Sequence, residues 1–364
     1  MVPTVESPKP PPALHIPYSS STVEVRVIDT GTLLHLNPTL FWQPDVEGFT
    51  GLHAPIYCFL ISHSRQHVVF DLGVRSDWGN YPPRVVSIIE ATTTVTPGLD
   101  VASVLDSDTS GLGIRSSDVS AVIWSHNHFD HTGDVSTFPS STELVVGPGV
   151  KATSWPGWPT NPDGMVLDSD AEGRVVREIS FEGGIKIGAF DAVDFFGDGS
   201  FYLLDAPGHA IGHLCALART SAEEPSFVFM GADACHHPGV FRPSDYLPLP
   251  SGPTLSPHRL GDPSRCPGAL IEQLAKPKES LFKPSVRMFP EYDAALDTIR
   301  KIQELDAADE CLVIIAHDLS LRDKIPMFPD NINSWRADGI KTETRWLFYE
   351  DLVTCMCHTD KAVR

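Results

Sequence analysis

The sequence predicts an α/β fold in one large domain, and three features carry that expectation. Short apolar runs with strand-like patterning recur along most of the chain. An amphipathic helical stretch near the end leads straight into one of them. Neither a fixed-period repeat nor a break in composition divides the 364 residues. Apolar residues make up 41%, enough for a sizeable core and against wholesale disorder.

Residues 1–22 read as a Pro/Ser-rich arm, expected to be mobile. In "TVEVRVIDTGTLLHL" the alternation of Val23, Val25 and Val27 with polar residues predicts a half-buried strand. "IYCFLISHS" and "HVVFDLG" predict a hairpin turning about Ser64-Arg65-Gln66, closed by a sharp turn at Asp71-Leu72-Gly73. "VASVLDSDTSGLGIRSSDVSAVIWSH" predicts a helix, a Gly-rich loop and a buried strand over 121–125. "ELVVGPG" is a short strand, and "SWPGWPTNPDG" a loop carrying Trp155 and Trp158. "FYLLDAPGHAIGHLCALAR" reads as strand, turn, strand, and "SFVFMGADACHH" as a buried strand with a polar tip. Eleven prolines within 238–290 exclude continuous helix or central strand there and predict a rigidified insertion. In "EYDAALDTIRKIQELDAADE", Ala295, Ile299, Ile302 and Leu305 fall at helical spacing, and the strand "CLVIIAHD" follows. The main domain is expected over 23–350, with 351–364 as a tail.

A formal charge of −20 argues against a general nucleic-acid binder, which needs clustered Lys and Arg, and favours neutral or cationic small molecules. The seven cysteines show no CxxC pair, so reduced thiols are expected instead of a disulfide framework or zinc ribbon. Cys355-Met-Cys357-His358 is a candidate soft-metal tract, although a terminal strand or tail explains it more simply. The first residues lack the apolar core of a signal peptide, and no run approaches the ~20 apolar residues of a membrane span. A cytoplasmic protein without a membrane partner is therefore expected.

Chemistry concentrates where strands end. "IWSHNHFDHTGD" supplies His126, His128, Asp130 and His131; "DAPGHAIGH" supplies His209 and His213; "FMGADACHH" supplies Asp233, His236 and His237; "VIIAHD" supplies His317. Neutral imidazole and carboxylate are ligands of divalent cations such as Zn²⁺. His126 and His128 alternate on an extended segment and so face one side, while Asp130 and His131 turn with the loop toward a second position.

These residues resemble the metallo-β-lactamase superfamily, specifically its lactonase-like branch with fungal members. The resemblance rests on His126-Asn127-His128-Phe129-Asp130-His131, on the "PGH" at His209, on Asp233 and His317 in the family's order, and on Asp71 in "FDLG". It implies a four-layer αβ/βα sandwich with a dimetal site between two mixed sheets. By the same resemblance, His126, His128 and His209 hold one Zn²⁺ and Asp130, His131 and His317 a second, with Asp233 bridging. His213 is expected to be structural. The branch's substrate-binding tyrosine, three residues past the bridging aspartate, is replaced here by His236. That change suggests an imidazole donor to the substrate carbonyl; alternatively, His236 and His237 orient Asp233.

The expected activity is metal-assisted hydrolysis of an acyl bond through an activated bridging water, with Asp130 relaying a proton. No GxSxG elbow offers a serine nucleophile. A small-ring lactone or lactam leads, including benzoxazolinone-type xenobiotics. A polyketide thioesterase follows, and a metal-free binding scaffold is the alternative of another class. Trp155, Trp158, Phe241 and Tyr246 are candidates to line an apolar pocket, or are loop anchors.

Overall fold

The computed structural model describes residues 7–46, 49–249 and 278–352. The Cys355-Met-Cys357-His358 tract, most of the expected tail and the middle of the Pro-rich insertion lie outside the described residues.

Alternation along the strands builds four layers. One six-stranded sheet contains Glu24–Asp29, Tyr57–His63, Gln66–Phe70, Val119–Ile123, Glu143–Val146 and Val176–Glu178, in that spatial order. The other contains Ile185–Ile187, Phe190–Asp194, Phe201–Asp205, Leu214–Ser221, Ser226–Met230 and Cys311–Ile314. Both mix parallel and antiparallel pairs. Phe59, Ile61, Val68, Phe70, Ala121 and Ile123 of the first sheet pack against Leu203, Leu214, Ala216, Val228, Met230 and Ile314 of the second. Their sequence neighbours point the other way, because successive side chains of a strand leave on opposite faces. Leu60, Val69, Val122 and Leu144 thus pack with Val101, Ala102 and Leu105 of helix Val101–Asp106. Leu204, Leu217, Phe229 and Val313 pack with Ile299, Ile302 and Leu305 of helix Tyr292–Ala307, as its spacing predicts. The result is helix, sheet, sheet, helix.

The hairpin forms as expected, with His63 opposite Gln66 and Ser64 at φ 55° in its turn. The buried strand ends at Ile123, two residues earlier than expected. There Ser125 leaves the ladder: its N–H donates to Asp71 and its carbonyl accepts from Leu214 N–H of the opposite sheet. The N-terminal arm, expected to be mobile, carries anchors within 7–22: Leu14 is buried, its carbonyl accepts from Gly188 N–H, and Arg219 donates to the Pro17 carbonyl. A three-stranded sheet of Leu33–Leu36, Leu52–Ala54 and Val95–Thr96 lies beside helix Pro83–Thr92 and supplies cleft walls. Among the described residues, no helix is long and apolar enough to cross a membrane.

Candidate metal centre

The polar groups of four strand ends meet at one rim of the sandwich. Val119–Ile123, Phe201–Asp205, Ser226–Met230 and Cys311–Ile314 deliver, past their C-terminal ends, His126 to His131, then His209, Asp233 and His317. Local backbone makes this possible. Gly208 of "PGH" has φ 131°, and a Cβ there would stand 2.4 Å from Ala295 Cα and N, so glycine lets the loop press on the outer helix while turning His209 inward. At Gly133 a Cβ would lie 2.4 Å from Leu72 Cβ, so the loop leaving the His/Asp segment closes against the Asp71 turn.

Three overlapping groups of possible ligand atoms result among the described residues: His126, His128 and His209; Asp130, His131, Asp233 and His317; and His209, Asp233 and His236. His209 Nε2 lies 3.1 Å from His126 Nε2 and 2.9 Å from His128 Nδ1. One Nε2 carries at most one proton, so ordinary hydrogen bonding does not explain this convergence. A tetrahedral ion with ~2.0–2.1 Å bonds to nitrogen spaces its ligand atoms by roughly 3.3 Å, close to these separations. In the second cluster, Asp233 Oδ1 lies 3.1 Å from both His131 Nε2 and His317 Nε2, and Asp130 Oδ2 is 3.6 and 3.4 Å from the same nitrogens. Asp233 Oδ2 faces the first cluster, 3.5 Å from His209 Nε2 and 3.9 Å from His126 Nε2. A single carboxylate thus presents one oxygen to each group.

Outer contacts fix these candidate rings. Asp71 Oδ2 sits 2.7 Å from His131 Nδ1. The Pro55 carbonyl accepts from His317 Nδ1 at 2.9 Å, and the Ser125 hydroxyl lies 3.0 Å from His126 Nδ1. His213 Nε2 accepts from the Asp233 backbone N–H at 3.2 Å. Such contacts orient metal ligands and set their tautomers. Meanwhile His131 Nε2, His317 Nε2 and Asp233 Oδ1 are buried and converge within 3.1 Å, yet none makes a well-aligned hydrogen bond. Buried polar atoms are costly when unsatisfied, and a cation accounts for all three, so the donor set fits a divalent metal.

The two clusters differ electrostatically. Burial, then neighbouring imidazoles, hold His126 and His209 well below the usual histidine range, and burial lowers His128 too. These three are neutral and ready to donate lone pairs. In the second cluster burial also acts downward, but Asp233, Asp71 and Asp130 outweigh it and raise His131 well above its usual value. Asp233 and Asp130 likewise lift His317 to about 10.

An apolar cleft of about 230 Å³ opens onto these groups. Leu34, Leu36, Leu40, Phe41, Val85 and Met288 form walls, and His128, Asp130, Asp233 and His236 form the reactive end. His236 lies parallel to His317 with ring centroids 5.7 Å apart, and its Nε2 is 3.0 Å from Asp233 Oδ2. His237 points elsewhere, against Trp42, Phe282 and Phe348, with Nδ1 accepting from Gly239 N–H. It does not orient Asp233. Of the aromatic candidates, none lines this cleft: Trp155 stacks on Trp124 and Phe241 is buried in the core. Phe41 and Phe129 take that place. Ser125 and Pro55 escaped sequence reasoning, since neither a serine hydroxyl nor a backbone carbonyl has a sequence signature.

The model of the metallo-beta-lactamase superfamily matches residues 53–218, which include His126 to His131 and His209. The metallo-hydrolase mfmC of Annulohypoxylon moriforme is 72% identical over 99% of this chain and 95% of its own length. The chain belongs to the metallo-beta-lactamase superfamily. The gamma-lactamase FDB1 of Fusarium pseudograminearum is 44% identical across 94% of this chain and 85% of its own. The cytochrome P450 monooxygenase mpaDE of Penicillium roqueforti is 54% identical over 96% of this chain, which spans 40% of that longer protein. A solved N-acyl homoserine lactone hydrolase, with N-hexanoyl-L-homoserine at its catalytic metal centre, shares the fold with a TM-score of 0.56. Its identity is 16% over 86% of this chain and all of that one. The protein is a hydrolase of this superfamily with a site for divalent metal.

Proposed function

We propose that the protein is a dinuclear-metal hydrolase that opens a small cyclic ester or amide. One observation carries the reading: Asp233 divides its two oxygens between two buried ligand clusters at the end of an apolar cleft. His126, His128 and His209 would hold one Zn²⁺, and Asp130, His131 and His317 the other, with Asp233 shared. When bound, such ions act as Lewis acids and lower the pKa of water at neutral pH.

The remaining work belongs to side chains. The aliphatic walls strip water from the ring and hold its carbonyl toward the reactive end. His236, buried at the cleft and without a well-formed hydrogen bond at either nitrogen, is placed to donate to the carbonyl oxygen as charge develops. Asp130, the more exposed carboxylate at 10%, faces the cleft and is the candidate to pass a proton to the departing oxygen or nitrogen. The compact cleft and the gamma-lactamase relative support a small ring over a long acyl thioester.

A panel of γ-lactones, γ-lactams including benzoxazolinone, and acyl thioesters tests this on metal-loaded enzyme. Turnover is expected on rings and to vanish in His128→Ala. Turnover confined to thioesters would overturn it.

A further inference from the structure

We propose that Arg287 is a specificity residue that binds an anionic group, in the first instance a carboxylate, on the substrate at the mouth of the cleft. This rests on the hydrolase reading above and names its substrate class: a small ring carrying an acidic substituent away from the scissile carbonyl.

Arg287 is the one arginine or lysine among the described residues that line the apolar cleft. It also lines the polar groove next door, with Thr39, Gln43, Asp45 and Lys283, so it stands where the cleft opens outward. His128, Asp130 and Asp233 line the same cleft, so a ring whose carbonyl is held there would turn a substituent toward Arg287. Its backbone is fixed: Arg287 N–H donates to the Ser285 hydroxyl, Met288 N–H to the Ser285 carbonyl, and Ser285 N–H to the Phe41 carbonyl. This short turn therefore rides on the residue that forms the cleft wall.

The guanidinium, by contrast, is nearly free. Its recorded contact is Nη1 to the Thr39 carbonyl at the long distance of 3.5 Å, and it makes no ion pair among the described residues. Asp45, Glu279 and Lys283 border the same groove. A planar fork of N–H donors with spare valences, beside apolar walls, matches a carboxylate better than a neutral or cationic group. Elsewhere in the cleft, hydroxyls are already engaged: Thr92 donates to the Ile88 carbonyl and Thr93 to the His35 carbonyl. The overall charge of −20 suggested neutral or cationic ligands, but at physiological salt distant charges are screened within ~8 Å and the local cation decides.

The test compares a benzo-fused γ-lactam bearing a carboxymethyl arm with its methyl ester, on wild-type enzyme, Arg287→Met and Arg287→Lys. Wild type should favour the acid by about tenfold in kcat/KM, mostly through KM, as expected for a charge-assisted contact discounted for exposure. Arg287→Met should erase that preference with the ester nearly unaffected, and Arg287→Lys should restore part of it. Equal losses on both compounds, or an unchanged preference, would overturn the proposal. If neither compound is turned over, the ring-opening reading fails and the charge question is read by calorimetry on the same pair. Acid binding weakened in Arg287→Met alone then supports the contact, and equal affinities for both proteins refute it.

Discussion

Asp233 carries more of the account than any other residue, since its two oxygens face separate clusters with opposite protonation habits. His126, His128 and His209 are held neutral by burial, whereas the carboxylates keep His131 and His317 protonated when no cation is present. A metal entering the second cluster must displace those protons, so its affinity there should climb steeply between about pH 6 and about pH 8. Affinity for the first cluster should stay nearly level over that interval. Zinc titrations followed by calorimetry at the two pH values would show this as one pH-sensitive and one pH-insensitive step; two parallel responses would contradict it. At His236, replacement by Phe should lower kcat about 10²–10³-fold, the cost of losing one oriented donor, with metal content unchanged. Loss of metal together with activity would instead make His236 a ligand.

At the scale of elements, the strand ends set the geometry and a second ring of contacts holds it. Asp71 closes Gln66–Phe70 with φ 61°, a left-handed conformation that aims its carboxylate between Ser125 N–H and His131 Nδ1. Asp71→Ala should weaken metal binding at the second cluster about 10–100-fold while leaving the first almost untouched. Site-resolved metal competition would measure it, and equal weakening of both clusters would point to general unfolding. Ser125 explains why the preceding strand stops short. Its apolar neighbours Ile123 and Trp124 continue the strand pattern, but its own backbone is diverted to Asp71 and to Leu214 across the sandwich. That diversion depends on residues 54 and 89 positions away, which local patterning does not register.

Across the whole molecule, legibility followed the kind of signal. Hairpin, outer helix and strand ends were readable because burial imposes periods of two and 3.6 on the chain. The seven ligand candidates were named from strand-end His and Asp motifs and the family resemblance, and the fold brings them together. The cleft was not: Leu34, Leu40, Val85 and Met288 come from distant segments and look in sequence like any core residue. Trp155 and Phe241 drew attention by size, yet they serve the interior. Arg287 belongs to no sequence motif, and only the fold sets it beside those apolar walls. The most direct test of the shared-carboxylate centre is the number of metal ions retained per chain after zinc loading and removal of free metal. Two per chain are expected in the wild type; one or none would contradict a carboxylate shared between two ions.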